Sequence, residues 1–442
     1  MTTPRDQPLV FPAVCTCFVL SGFAALLYQT AWMRQLSTVF GTSELAVATV
    51  LAAYMAGLAL GAAIAARFID RIRRPVLVYG ILEAGIALSA LAVPFGLRFA
   101  AMIYTALFGG QSEPPDASGA GQSLFYFGAT FLLLVTPTAC MGATLPMLTR
   151  YAVRSDDQVG PRVGALYALN TLGAIGGTLF AAFLLLPSLG LMRTIVFGAL
   201  INMLVFAIAS ILARKQTPRE LSEISKKSAL SFGWRRESWI LPIILVSGVT
   251  TFSYEVLWTR LLSHVLGGSV IAFATMLASF LSGIALGSAI AARIATTRAA
   301  AQIGFVVTQT AIAATSAAIF LILDYFIPEV AGLGGNAGLS FALLLPATLF
   351  IGATYPFAVR ILSRDENDAP VSSARVYSWN TVGAIIGAVL TGFVLMPALR
   401  YEGVIQLVVS ANLVLALVPA PMRKLHTSAT QLMAKKSASL PA

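Results

Sequence analysis

Residues 21–37 read SGFAALLYQTAWMRQLS, and residues 247–263 read SGVTTFSYEVLWTRLLS. At an offset of 226, Ser21, Gly22, Tyr28, Trp32, Arg34, Leu36 and Ser37 fall on Ser247, Gly248, Tyr254, Trp258, Arg260, Leu262 and Ser263. The same offset carries Gly57, Gly61 and Arg67 onto Gly283, Gly287 and Arg293. A longer loop near 109–121 then changes the offset to 210, where GATLP at 142–146 matches GATYP at 352–356. Tyr167, Asn170, Thr171, Gly173, Gly177 and Pro187 match Tyr377, Asn380, Thr381, Gly383, Gly387 and Pro397. The chain is an internal duplication, and both copies are apolar.

That apolarity sets the fold class. Charged residues make up 11% of the 442 and hydrophobic residues 58%, with a mean hydropathy of +0.84. Soluble domains carry about 25% charged residues, so too little polar surface exists here to cover a globule in water. Disordered chains are charged and poorly hydrophobic, and are excluded by the same numbers. A membrane span needs about 20 mostly apolar residues. Apolar runs between charges give twelve: 10–33, 44–66, 75–97, 123–149, 163–186, 191–213, 238–262, 269–292, 300–323, 338–359, 374–396 and 402–420. They are far longer than the alternating segments of about 10 residues that a membrane β-barrel uses. The expectation is an all-α polytopic membrane protein of twelve helices. Six spans per copy return the chain to its starting side, so both copies enter the membrane in the same direction as parallel repeats.

The net charge of +11 reads as topology. Of the 29 Lys and Arg residues, 24 fall on the side that carries both termini and the linker. Cytoplasmic loops are enriched in basic residues, so both termini are expected in the cytoplasm of a cell inner (plasma) membrane, and the charge gives no argument for nucleic acid. The first apolar run continues to Trp32 without an A-x-A-like cleavage site, so it reads as a span and not a signal peptide. Cys15, Cys17 and Cys140 lie in apolar stretches, and His264 and His426 are far apart, so neither a metal site nor a cofactor is expected. The organisation reads as a first six-helix bundle at 1–213, a cytoplasmic linker at 214–237, a second bundle at 238–420 and a cytoplasmic tail at 421–442.

The Gly-rich second span followed by GAAIAARFIDRIRRP at 61–75 looks like the basic loop between spans two and three of major facilitator transporters. SGFAALLYQTAWMRQLSTVFG, PTACMGATLPMLTR and ALYALNTLGAIGG resemble, more narrowly, the membrane part of fused major-facilitator/spermidine-synthase proteins. The likeness runs from about residue 10 to about 420 in both copies. That family's first motif reads Tyr-Glu ahead of the Trp; this chain has Tyr28–Gln29 in one copy and Tyr254–Glu255 in the other. Fused members also carry a soluble aminopropyltransferase domain with a Gly-rich nucleotide loop. The spans take up nearly all of this chain, and GLGGNAG at 332–338 follows no strand, so it reads as the membrane half alone and not as an enzyme.

Few polar residues lie inside the spans. Glu255 reads either as a proton- or cation-binding site or as a carboxyl paired with Arg34 or Arg260 near the outer end; a carboxylate at the bilayer centre costs about 2.5–3.5 kcal/mol and usually faces a cavity or a partner. Gln29 is its non-titrating counterpart. Glu83, with Gln309 at the matching position, is either functional or a helix-packing hydrogen bond. Tyr28 and Trp32, like Tyr254 and Trp258, are four residues apart and share a helix face. They form either an aromatic wall for a cationic ligand or an interfacial belt. Asn170 and Asn380 either line a cavity or hydrogen-bond between helices. Pro137, Pro146, Pro346 and Pro356 are expected to break spans four and ten, since proline removes a helix hydrogen bond. The expected function is a secondary transporter working by alternating access on a small substrate. The family resemblance implies a cationic, polyamine-like one. The alternative is a membrane subunit serving a separate soluble aminopropyltransferase-like protein.

Overall fold

The computed structural model describes residues 10–40, 44–108, 120–214, 236–266, 270–325 and 333–417. Most of the 214–237 linker, the 421–442 tail and most of the GLGGNAG stretch lie outside these or have no described side chains. The described residues form twelve long helices: α1 (Val10–Phe40), α2 (Glu44–Phe68), α3 (Pro75–Phe108), α4 (Ala120–Ala152), α5 (Val159–Phe180), α6 (Leu186–Arg214), α7 (Ile240–Leu266), α8 (Val270–Ile294), α9 (Arg298–Tyr325), α10 (Leu333–Leu362), α11 (Ala369–Leu390) and α12 (Met396–Leu417). In lipid no water satisfies backbone groups, so spanning segments bond internally as helices. Among the described residues, ten stretches are long and apolar enough to cross a membrane. One of them, Asp156–Arg214, has 59 residues and holds both α5 and α6. α11 falls outside the ten because Ser372, Ser373, Arg375, Ser378 and Asn380 dilute its apolar character.

The duplication is repeated contact by contact. A Cβ built on Gly22 of α1 would lie 2.1 Å from the Asn170 carbonyl oxygen of α5, and one on Gly248 of α7 would lie 2.2 Å from that of Asn380 on α11. On α2 and α8, a Cβ at Gly61 or Gly287 would come within 1.8 Å and 1.7 Å of the carbonyl oxygens of Ala139 and Leu349. Only glycine lets the helix backbones approach this closely.

Two irregularities also repeat. Wider turns of π-helix at Ala181–Leu185 and Thr391–Leu395 are followed by sharp bends at Gly190 (φ 74°) and Arg400 (φ 57°). At Gly190 the chain reverses: Gly173 and Gly177 meet Val19 and Phe23 in matching order, whereas Gly198 meets Tyr28 and Asn202 meets Glu83 on the way back. The expected breaks at Pro137, Pro146, Pro346 and Pro356 are not interruptions, because α4 and α10 run continuously through them. At Pro356 the reason is visible. The carbonyl of Gly352, deprived of its intrahelical donor, accepts a 2.7 Å hydrogen bond from Ser288 Oγ of α8.

Apolar packing divides unevenly along the membrane normal. At the end carrying the basic loops, one buried cluster joins both halves, running from Val14 and Leu148 to Ile240 and Val359. Toward the other end, one cluster around Trp32 belongs to the first half and another around Trp258 to the second. The halves are therefore fused at the basic-loop end. There Arg360 of α10 makes a two-pronged ion pair with Asp156 at 3.0 and 2.6 Å, Thr149 Oγ donates to Ser373 Oγ at 3.4 Å, and Ser378 Oγ donates to the Ala59 carbonyl at 3.2 Å.

Candidate functional site

Where the shared cluster ends, a cavity of about 200 Å³ lies between the halves. Its wall is built from repeat partners: Ser21 and Ser247, Gln29 and Glu255, Asn170 and Asn380, Thr144 and Thr354, Tyr167 and Tyr377, Tyr54 and Phe280. The duplication explains this pairing, since the same face of each copy turns toward the same axis. Tyr355 has no such partner, because the first copy has Leu145 at its place. It stacks on Tyr167 across the halves at 4.6 Å between ring centres and meets Tyr377 edge-on at 6.3 Å. Its hydroxyl is within 2.8 Å of Ser373 Oγ. These three rings stand between the cavity and the fused end.

Among the described residues, Glu255 is the only carboxylate in the lining, and no basic side chain accompanies it. Among the described residues its carboxyl makes no hydrogen bond or ion pair, and the Arg260 side chain lies outside them. The cavity wall thus carries a carboxyl at one point, with amides, hydroxyls and aromatic rings set among aliphatic side chains such as Leu51, Met141, Leu277 and Ile351. That combination can hold an ammonium group by charge, hydrogen bonds and ring faces.

Of the sequence-selected residues, Gln29, Glu255, Asn170 and Asn380 are brought together here. Tyr28, Trp32, Tyr254 and Trp258 are not in the lining. Each pair stacks within its own half, at 5.4 Å for Tyr28 and Trp32 and 5.2 Å for Tyr254 and Trp258, and all four are buried. The i,i+4 spacing gave the shared face, but that face turns into the bundle. Glu83 is wholly buried behind the wall, between α1, α3 and α6. Ser21, Ser247, Tyr54 and Tyr355 were not singled out by the sequence, although Ser21 and Ser247 stand in the duplicated motif.

No family model matches the chain, and no curated protein matches it in sequence. In structure it is similar to FucP, a major facilitator superfamily transporter solved in the outward conformation, with a TM-score of 0.59 and 15% identity over 94% of this chain and 99% of that one. It is similar also to the human organic anion transporter MFSD10, with a TM-score of 0.59 and 14% identity over 93% of this chain and 100% of that one. A variant of the E. coli fucose:proton symporter FucP aligns with a TM-score of 0.56 and 14% identity over 94% of this chain and 99% of that one. At these identities the likeness speaks to architecture. With its twelve helices in two parallel repeats around a central cavity, the chain has the major facilitator fold.

Proposed function

We propose that the protein is a secondary transporter of a small organic cation, a polyamine-like amine, moved by alternating access through the cavity between the halves. The observation that carries this reading is the Glu255 carboxyl, which has no partner and no basic neighbour in the cavity lining among the described residues. A buried charge calls for a partner, and a substrate ammonium would supply it. Asn170, Asn380 and Tyr54 offer acceptors for the remaining N–H donors. A cavity of about 200 Å³ favours a small substrate. Fusion of the halves at the basic-loop end, with separate clusters beyond, fits one of the two end states of a rocking mechanism. On the positive-inside rule that end faces the cytoplasm of the inner membrane.

The test is uptake of radiolabelled putrescine and spermidine into proteoliposomes, beside a neutral sugar and an organic anion. Uptake of an amine that Glu255→Gln abolishes, with the protein still folded, is the expected result. Amine uptake unchanged in Glu255→Gln, or uptake of the sugar or anion alone, would overturn the assignment.

A further inference from the structure

The acid that the cavity does not hold is placed with equal care. Glu83 Oε2 accepts from Asn202 Nδ2 of α6 at 2.5 Å, and Oε1 lies 2.5 Å from Ser21 Oγ of α1. The Asn202 amide is itself oriented, because its Oδ1 accepts from the Tyr28 hydroxyl at 2.9 Å. Tyr28 donates to Asn202, and Asn202 donates to Glu83, so Oε2 is fixed as an acceptor. Oε1 is free to work either way: ionised, it accepts from Ser21; protonated, it donates to Ser21 Oγ. Both protonation states satisfy the cage, which is what a reversible proton site requires. Ser21 also belongs to the cavity wall.

The second half supplies an internal comparison. Gln309 stands at the place of Glu83, and its Nε2 donates to Ser247 Oγ at 3.2 Å, the counterpart of the Ser21 contact. Asn412, the counterpart of Asn202, is 1% exposed, and neither end of its amide has a hydrogen-bond partner among the described residues. The cage is complete only around the acid. The two halves have also exchanged their carboxyls: the first has Glu83 behind the wall and Gln29 on it, the second Gln309 behind the wall and Glu255 on it.

We propose that Glu83 is a proton-binding site, separate from the cavity carboxylate, which exchanges its proton with the cavity through the Ser21 hydroxyl. In that exchange Ser21 Oγ takes a proton from the cavity side as its own hydroxyl proton passes to Glu83 Oε1; the reverse transfer releases it. The titratable groups facing Glu83 are Cys17 and Tyr28 from α1, Tyr79 from α3 and Cys140 from α4, and α6 contributes the neutral Asn202. All are uncharged in their ordinary state near neutral pH, so the site's charge is set by its own proton. Every contact lies within the first half, so rocking of the halves leaves the cage intact while the cavity changes sides. Joined to the transporter reading above, Glu83 is a coupling site. As a proton site it stands without that reading.

The experiment is infrared difference spectroscopy of the purified protein in lipid nanodiscs, titrated with pH and exchanged into D2O, with no substrate added. The expected result is a protonated-carboxyl stretching band that titrates and shifts in D2O, is lost in Glu83→Gln and is kept in Glu255→Gln. Ser21→Ala retains the band, at a changed frequency and with slowed exchange. Gln309 already shows that an amide fits this position, and Gln309→Glu, expected to add a second band, keeps the idea testable should Glu83→Gln fold poorly. A spectrum unaltered by Glu83→Gln, or a Glu83 band that neither titrates nor exchanges, makes the residue a structural hydrogen-bond partner and overturns the proposal. Failure of the amine assignment would appear only in the uptake experiment.

Discussion

Cutting the ion pair between Asp156 and Arg360 should loosen the fused end. Arg360 anchors twice: Nε donates to the Thr296 carbonyl of its own half at 3.2 Å, and the remaining fork reaches Asp156 of the other half. The Arg360 side chain is 5% exposed and that of Asp156 48%. Fully exposed pairs contribute about 0.2–1 kcal/mol, while breaking a buried pair costs about 3–5 kcal/mol. A half-screened, two-pronged pair lies between, at about 1–2 kcal/mol for Asp156→Asn. That energy favours only the conformation in which the halves meet here, so its loss shifts the ratio of fused to separated states by about 5- to 30-fold. The assay is electron–electron distance measurement between spin labels at Arg73, exposed in the basic-end loop of the first half, and Ala299, exposed in the first turn of α9 in the second, with Cys15, Cys17 and Cys140 replaced. Asp156→Asn should add a longer-distance population, and added salt should narrow the gap between variant and parent, since the pair is partly screened already. Identical distance distributions in variant and parent would refute the claim that this pair holds the end shut.

Two further predictions concern stability and are read from thermal unfolding in nanodiscs. Arg400 sits at φ 57° and ψ −178°, a region natural to glycine, and its repeat partner is Gly190. Relief of strain worth about 1–3 kcal/mol, less the 0.5–1 kcal/mol entropic cost of glycine, should make Arg400→Gly more stable by about 1 kcal/mol; a fall in the unfolding midpoint would contradict this. Gly61→Ala should lower the midpoint, since its Cβ would lie 1.8 Å from the Ala139 carbonyl oxygen and overpacking costs about 1–3 kcal/mol. Gly128→Ala, with nothing within 4 Å of the new Cβ, should leave the midpoint unchanged or raise it. Equal effects of the two would mean that the α2–α4 crossing is looser than described.

The architecture was legible because two independent patterns agree. Apolar run length sets the spans, and the duplicated Ser-Gly…Tyr…Trp and Gly-Ala-Thr motifs set the repeat. Gln29, Glu255, Asn170 and Asn380 stood out as polar residues in apolar helices, and the cavity lies where they meet. Tyr28 and Trp32 were a different case. Spacing shows that they share a face, but whether that face meets ligand, lipid or α6 is decided by the tertiary packing, and here Tyr28 bonds to Asn202. What satisfies the carbonyl that a proline frees is likewise settled by packing: Ser288, 64 residues from Gly352 in sequence, supplies the donor that Pro356 removes. Both bends left the same trace, a short gap between spans that begins at Pro187 in one copy and Pro397 in the other, but nothing marked Arg400 as the turning residue, because arginine does not ordinarily adopt that backbone geometry.

The paired cavity wall bears on how a ligand is oriented. In outline the wall is nearly two-fold symmetric, so a slender ligand would fit either way round. In chemistry it is not: Glu255 faces Gln29, Phe280 answers Tyr54, and Thr251 answers Ala25. For the amine proposed above, a molecule with a cationic head and a neutral tail would therefore have a single preferred polarity, head toward the second half. A molecule with two identical charged ends could place only one of them on a carboxylate and would leave the other on an amide. Duplication built a cavity wall without direction, and the divergence of a few side chains gave it one.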